Sequence, residues 1–443
     1  MADQTVGSLS IAYLAAAWVA VQILEVLGEA WGLSQGLIRG IHIALGVGFL
    51  AVIGIALFLR RASERRSRRE GSGSGSFRWR TTIEVGLGVF LMVSLIWTVR
   101  SSNRAEWARV EALPGARLLA EAGDIPGAFA LSEEAARFIG GDPALEELRS
   151  TISEVVSIRT DPPGADVFVK AYAAPEDAWV HLGKTPVEGI RLASEIKHWR
   201  IEKEGFETVS RVPAFAADLD ISLSPAGSWP EGMVQVPGGT VFGWTAETGI
   251  TRTVELPSFY YDRFEITNRE FLEFVQAGVY EDEDLWLRSP QVLPDQALNR
   301  FVDGTGQQGP AAWEMGAPRP GTENLPVSGV SWHEAFAYCV WRGKTLPTLY
   351  HWSHASGVFL NAGGVIPLSN FAGEGLATPG QFQGMGAFGS YDLGGNVREW
   401  VWNSAVGGRL ILGGAWTDPG YFFSHAQTFN PLDRSPGNGF RCI

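Results

Sequence analysis

The chain has 443 residues, more than one hydrophobic core serves, and at roughly 100–200 residues per domain two to four units are expected. Its net charge of −13 argues against a nucleic-acid surface, which needs clustered Lys and Arg against phosphate. The charge is uneven: residues 60–80 hold eight Arg and two Glu, a local +6, so the remainder carries −19.

Residues 1–100 read as a transmembrane region. Three apolar runs, at about 9–27, 41–59 and 83–99, each have the length that crosses ~30 Å of hydrocarbon as a helix. The first carries Gln22 and Glu25, which leaves an interfacial or buried helix as its other reading. No basic region precedes that run and no small-residue cleavage site follows it, which speaks against a cleaved signal peptide. The Arg-rich loop stays cytoplasmic by the positive-inside rule. Whether or not the first run spans, the third then exports everything from about residue 101 onward. The expected setting is a bacterial-type membrane, multi-pass, with lipid as one partner.

Residues 101–155 have helical spacing, broken at Gly123–Pro126 and Gly140–Pro143, and read as a helical stalk. Residues 156–226 change to short alternating strands between turns, as in DVFVK and LDISLS. Pro163, Gly164, Ala165, Gly183, Thr185, Pro186, Gly205 and Phe206 give this stretch a resemblance to the PEGA domain, a small extracytoplasmic β-sandwich. That resemblance implies a spacer or wall-contact role.

Residues 230–443 are rich in Gly and poor in regular periodicity. Thr267–Glu270 and Ser331–Glu334 are capping boxes, each satisfying two free amides at a helix start. His351 and His354 make an HxxH pair, a weak metal signal that packing histidines produce more often. Cys339 and Cys442 are the only two cysteines, and outside the membrane they could pair.

Six ordered blocks follow: MVQVPGGTVFGW, FEITNREFLEFV, LPVSGVSWHEAFAYCVWRGKTLPT, GSYDLGGNVREWVWN, LILGGAWTD and GNGFRC. Their order resembles the formylglycine-generating enzyme (sulfatase-modifying factor) family. The overall expectation is an α+β protein: transmembrane helices, a short helical stalk, a small β-sandwich, and a C-type-lectin-like domain of the formylglycine-generating type.

The resemblance implies several site residues. Cys339 and Cys442 stand where similar proteins have a disulfide. Asp392, Gly395, Val397 and Glu399 match a calcium site, with carboxylates from the acids and backbone oxygens from the other two; such hard oxygen ligands suit Ca²⁺. Family enzymes bind copper through two cysteines, soft ligands for Cu(I). Here Asp418 and Phe423 stand at those positions, and Gln427 replaces a substrate-contacting Arg. No copper and no catalytic residues are therefore expected. Trp416, Asp418, Tyr421, Phe423 and Gln427 would line the old groove as a ligand site.

The function expected is that of an extracytoplasmic binding or sensory protein, a pseudoenzyme. It would take a protein or peptide ligand and pass any output to a separate signalling partner, since no kinase signature is present. Two other readings stay open: an active oxidoreductase of the formylglycine-generating type, and a structural envelope scaffold.

Overall fold

A computed structural model describes residue 92 and residues 103–213, 218–245, 249–289 and 300–443. The expected spans at 9–27, 41–59 and 83–99 lie outside these residues, Met92 apart, and no described helix is long and apolar enough to cross a membrane. The chain divides into two units, residues 1–150 and 151–443.

In the first unit a π-helical turn, Ala108–Ala112, runs into helix α1, Leu113–Glu121. Helix α2, Ile125–Ile139, follows, and then α3, Pro143–Ile152. Asp124 caps α2 by accepting the Gly127 N–H at 2.9 Å. Small buried residues, Ala112, Ala116, Ala128 and Ala135, let the helices approach closely. The chain turns between helices at Gly123 and Gly141, both in the left-handed region that glycine enters without strain.

The second unit begins with seven strands: β1 Ser153–Asp161, β2 Asp166–Ala171, β3 Val180–Lys184, β4 Val187–Ala193, β5 Lys197–Glu202, β6 Val209–Arg211 and β7 Leu219–Ser222. They form two sheets, in the orders β4-β1-β7 and β3-β2-β5-β6. Both sheets contribute to one core, with Ile158 and Val187 from the first and Val167, Trp199 and Ile201 from the second. Thr185 is structural: its hydroxyl accepts the Gly164 and Ala165 N–H groups at 3.0 Å and closes the turn before β2.

This sandwich is fastened to the domain that follows. Tyr172 Oη donates to the Met385 carbonyl at 2.7 Å, and the Val212 N–H donates to the Ala387 carbonyl at 2.9 Å. The Arg211 guanidinium lies over the Phe388 ring at 5.2 Å.

The C-terminal domain opens with β8 Met233–Val236, paired antiparallel to β11 Phe259–Asp262, and a hairpin of β9 Gly239–Thr245 with β10 Gly249–Leu256. Helices α4 Asn268–Gln276, α5 Glu283–Leu287, α6 Trp332–Trp341, α7 Leu349–Ser356 and α8 Val358–Val365 follow. The capping boxes at Thr267 and Ser331 start α4 and α6 as their sequences imply. A four-stranded sheet closes the domain, in the order β14 Gln427–Phe429, β13 Gly408–Leu412, β12 Arg398–Ala405, β15 Asn438–Gly439.

A core of Phe271, Phe274, Tyr280, Trp286, Trp332 and Trp400 fills the space between α4, α6 and β12. Trp402, at the outer end of β12, is 38% exposed instead, against Trp332 and Phe336. Cys339 on α6 is joined to Cys442 by a disulfide across 103 residues of chain.

Candidate functional site

The segment from Tyr391 to Glu399 reaches its shape through three left-handed residues, Asp392, Gly395 and Asn396. Gly395 is required there, since a Cβ would sit 2.3 Å from the Asn370 carbonyl oxygen. Asn396 is fully buried, and its side chain is satisfied on every side. It accepts from Asn370 Nδ2 and the Ala377 N–H, and donates to Glu265 and the Ala377 carbonyl. Glu265 returns through its other oxygen to the Val397 N–H at 3.0 Å.

Three carboxylates are buried here, on Glu265, Asp392 and Glu399, together with the Arg441 guanidinium. Glu399 Oε1 accepts from Arg441 Nε at 2.8 Å and Nη2 at 2.6 Å, and Oε2 accepts from Trp352 Nε1 at 3.0 Å. Asp392 accepts the Gly380 N–H through Oδ2. Burial pushes the Asp392 carboxyl up to about 6. Burial, and then the charge of Asp392, pushes Glu265 well above the usual carboxylate range.

Asp392, Gly395 and Val397 lie buried on this turn, and Glu399 lies buried at the start of β12. The oxygen-only donors and the surplus of carboxylate over guanidinium suit a hard divalent cation. Glu399, however, has both oxygens committed to Arg441 and Trp352. Among the described residues no group of three or more His, Cys, Asp or Glu could hold a metal ion. A cation here would rest on Asp392 and backbone oxygens, with Glu265 and Glu399 supplying charge from behind.

Both histidines of the HxxH pair have protein partners. His351 Nδ1 accepts from the Thr348 hydroxyl at 2.7 Å in a third capping box, and His354 Nε2 meets the Pro237 carbonyl at 2.9 Å. Both rings pack on Phe259.

At the positions where two cysteines were sought, the side chains have structural work. Asp418 Oδ1 accepts from Arg398 Nη2 at 2.6 Å, and Oδ2 accepts the Ala415 N–H at 2.8 Å. Phe423 is buried against Trp352, with ring centroids 5.9 Å apart. Both side chains are buried, one in an ion pair and the other in the core. Trp416 and Gln427 are half-buried, the latter in β14 opposite Ile411. Tyr421 is 57% exposed and stacks on Phe422 at 4.8 Å, on a short 3-10 helix, Gly420–Ser424.

Sequence reasoning missed Glu265, Asn396, Arg398 and Arg441. Glu265 and Arg441 lie inside the FEITN and GFRC blocks, where a charged residue among apolar neighbours was the available signal.

The sulfatase-modifying factor enzyme 1-like domain matches residues 222–443. The chain belongs to this family. Among sulfatase-modifying-factor relatives, it is 30% identical over 261 residues to the mouse (Mus musculus) protein named inactive C-alpha-formylglycine-generating enzyme 2, covering 47% of this chain and 84% of that one. It is 30% identical over 245 residues to the formylglycine-generating enzyme of Thermomonospora curvata, covering 44% of this chain and 78% of that one. A third relative is the serine/threonine-protein kinase pkn1 of Chlamydia caviae, 31% identical over an alignment of 220 residues that covers 42% of this chain but 33% of the kinase.

Proposed function

We propose that this protein is a membrane-anchored, extracytoplasmic binding or sensory protein whose formylglycine-generating-type domain is non-catalytic. The observation that carries the reading is the state of Asp418 and Phe423. Copper-dependent oxygen chemistry needs soft sulfur ligands. Here a carboxylate tied to Arg398 and a core phenyl ring occupy those positions. Neither can bind Cu(I), and neither is free to move without breaking an ion pair or opening a cavity. The name of the mouse relative supports the same reading, since it too is called inactive.

The anchoring part of the reading rests on the three apolar runs and the Arg-rich loop between the last two. The sandwich, with its PEGA-type turns, would hold the C-terminal domain away from the lipid surface. The cation of the buried turn would be Ca²⁺, held by Asp392 with the Gly395 and Val397 backbone oxygens; it would supply positive charge among the carboxylates and fix the turn. The ligand is a protein or peptide, and any signal passes to a separate membrane or cytoplasmic partner.

The deciding experiment incubates the purified full chain with a cysteine-containing sulfatase peptide, O₂ and Cu(I), with metal content measured in parallel. The expected result is no aldehyde and no stoichiometric copper. Formylglycine in the peptide would overturn the proposal.

A further inference from the structure

The outward face of the four-stranded sheet of the sandwich carries groups that folding alone leaves unexplained. Strands β2 and β5 pair antiparallel, with Lys170 opposite His198 and Phe168 opposite Arg200. Their neighbours Val167, Val169, Trp199 and Ile201 fill the core, so these four residues share the other face. The β2–β3 loop folds over that face. Its Glu176 accepts from Lys170 Nζ at 3.1 Å and from Trp179 Nε1 at 3.0 Å, and Arg200 Nη1 lies 3.9 Å away.

The two ends of this contact differ sharply in exposure. The Lys170 side chain is 3% exposed, and that of Glu176 is 72% exposed. A buried ammonium requires a carboxylate beside it. The one it has comes from a solvent-facing loop, six residues along the chain, whose Ala174 carbonyl also accepts from Lys170 Nζ at 2.9 Å. His198 is 7% exposed, and its Nε2 is buried without a hydrogen-bond partner among the described residues. Its ring lies edge-on to Trp179 at 4.8 Å, and Lys170, Glu176 and Arg200 are the charges that reach it. The Arg200 guanidinium is held between Phe168 at 5.0 Å and Trp179 at 4.4 Å, and Glu202 lies 2.9 Å from its Nε.

We propose that this face is a carboxylate-binding site of the sandwich, and that Glu176 is a tethered stand-in for the ligand's carboxylate. An incoming small organic carboxylate takes over the Lys170 and Trp179 donors and approaches Arg200. Neutral His198 can add an N–H. Glu176 then swings out on its loop, so the buried lysine is never left unpaired. The site is separate from the C-terminal domain's lost chemistry and does not depend on it.

The test is calorimetric titration of the full chain in detergent with N-acetylglycine, and with N-acetylglycinamide as its uncharged isostere. The acid should bind saturably and the amide should not. Glu176→Gln keeps an acceptor for Lys170 but weakens the internal competitor, so it should tighten binding of the acid several-fold. Arg200→Gln should weaken it by at least as much. Lys170→Met should abolish it, and if that variant does not fold, Arg200→Gln carries the test. No saturable heat in both the wild type and Glu176→Gln, or equal heat from acid and amide, would overturn the proposal.

Discussion

Arg441 donates to one oxygen of Glu399 through both Nε and Nη2, and neither side chain is exposed. Arg441 also reaches the carbonyls of Asp262, Arg263 and Tyr391, so a single residue near the C-terminus ties β11 and β12 to the turn that carries Asp392. Burial opposes the charge on both partners, and their pairing favours it on each. Removing one leaves a buried charge unpaired, which costs about 3–5 kcal/mol. Glu399→Leu or Arg441→Met should therefore lower the unfolding free energy by that amount in a urea titration. A loss below about 1 kcal/mol would mean that water reaches the pair, where exposed ion pairs are worth little.

The buried carboxylates on Glu265 and Asp392 have no comparable guanidinium of their own. The Ca²⁺ proposed for that turn would stabilise the fold by mass action, about 2.7 kcal/mol at a free concentration one hundred times its Kd. Chelation should accordingly lower the melting temperature of the full chain, and added Ca²⁺ should restore it. Asp392→Asn should remove that response while leaving a folded protein. An unchanged melting curve with chelator, together with no calcium by metal analysis, would discard the site.

Much of the local structure was legible because its causes are local. The capping boxes at Thr267 and Ser331 complete themselves within three residues, and both are present. The box at Thr348 escaped notice because His351, not Glu or Gln, is the returning partner. The site's framework was harder to read, since its contacts are distant: Glu265 meets Asn396 across 131 residues. The family resemblance places Phe423 at the groove, but a short 3-10 helix turns Phe423 inward and Tyr421 outward, which sequence spacing cannot decide.

The Cys339–Cys442 disulfide ties α6 to the residue that follows Arg441. A closure of 103 residues removes more freedom from the unfolded chain than a short one, about 4–5 kcal/mol in the chain-entropy account. Native disulfides of small secreted domains are typically worth 2–5 kcal/mol. The Cys339→Ala/Cys442→Ala pair should lose stability in that range, and reduction of the wild type should reproduce the loss. If the reduced wild type and the double variant differed widely, the cysteines' packing rather than their bond would be the source.

Acid should weaken the C-terminal domain through His333. This residue is buried on α6 with Nδ1 2.8 Å from the Ser289 hydroxyl, and burial, aided by the Arg409 charge, lowers its pKa from 6.5 to about 4. The folded state therefore holds the imidazole neutral where the unfolded chain would protonate it. The stabilising difference is complete above about pH 6.5, falls as pH drops towards 4, and changes no further below that. A shift of this size corresponds to roughly 3 kcal/mol at most. His333→Gln keeps a polar group for Ser289 without the titration, so its stability should vary less between pH 7 and pH 4 than that of the wild type. Equal slopes for the two proteins in denaturant titrations across that window would show that His333 is not the group responsible.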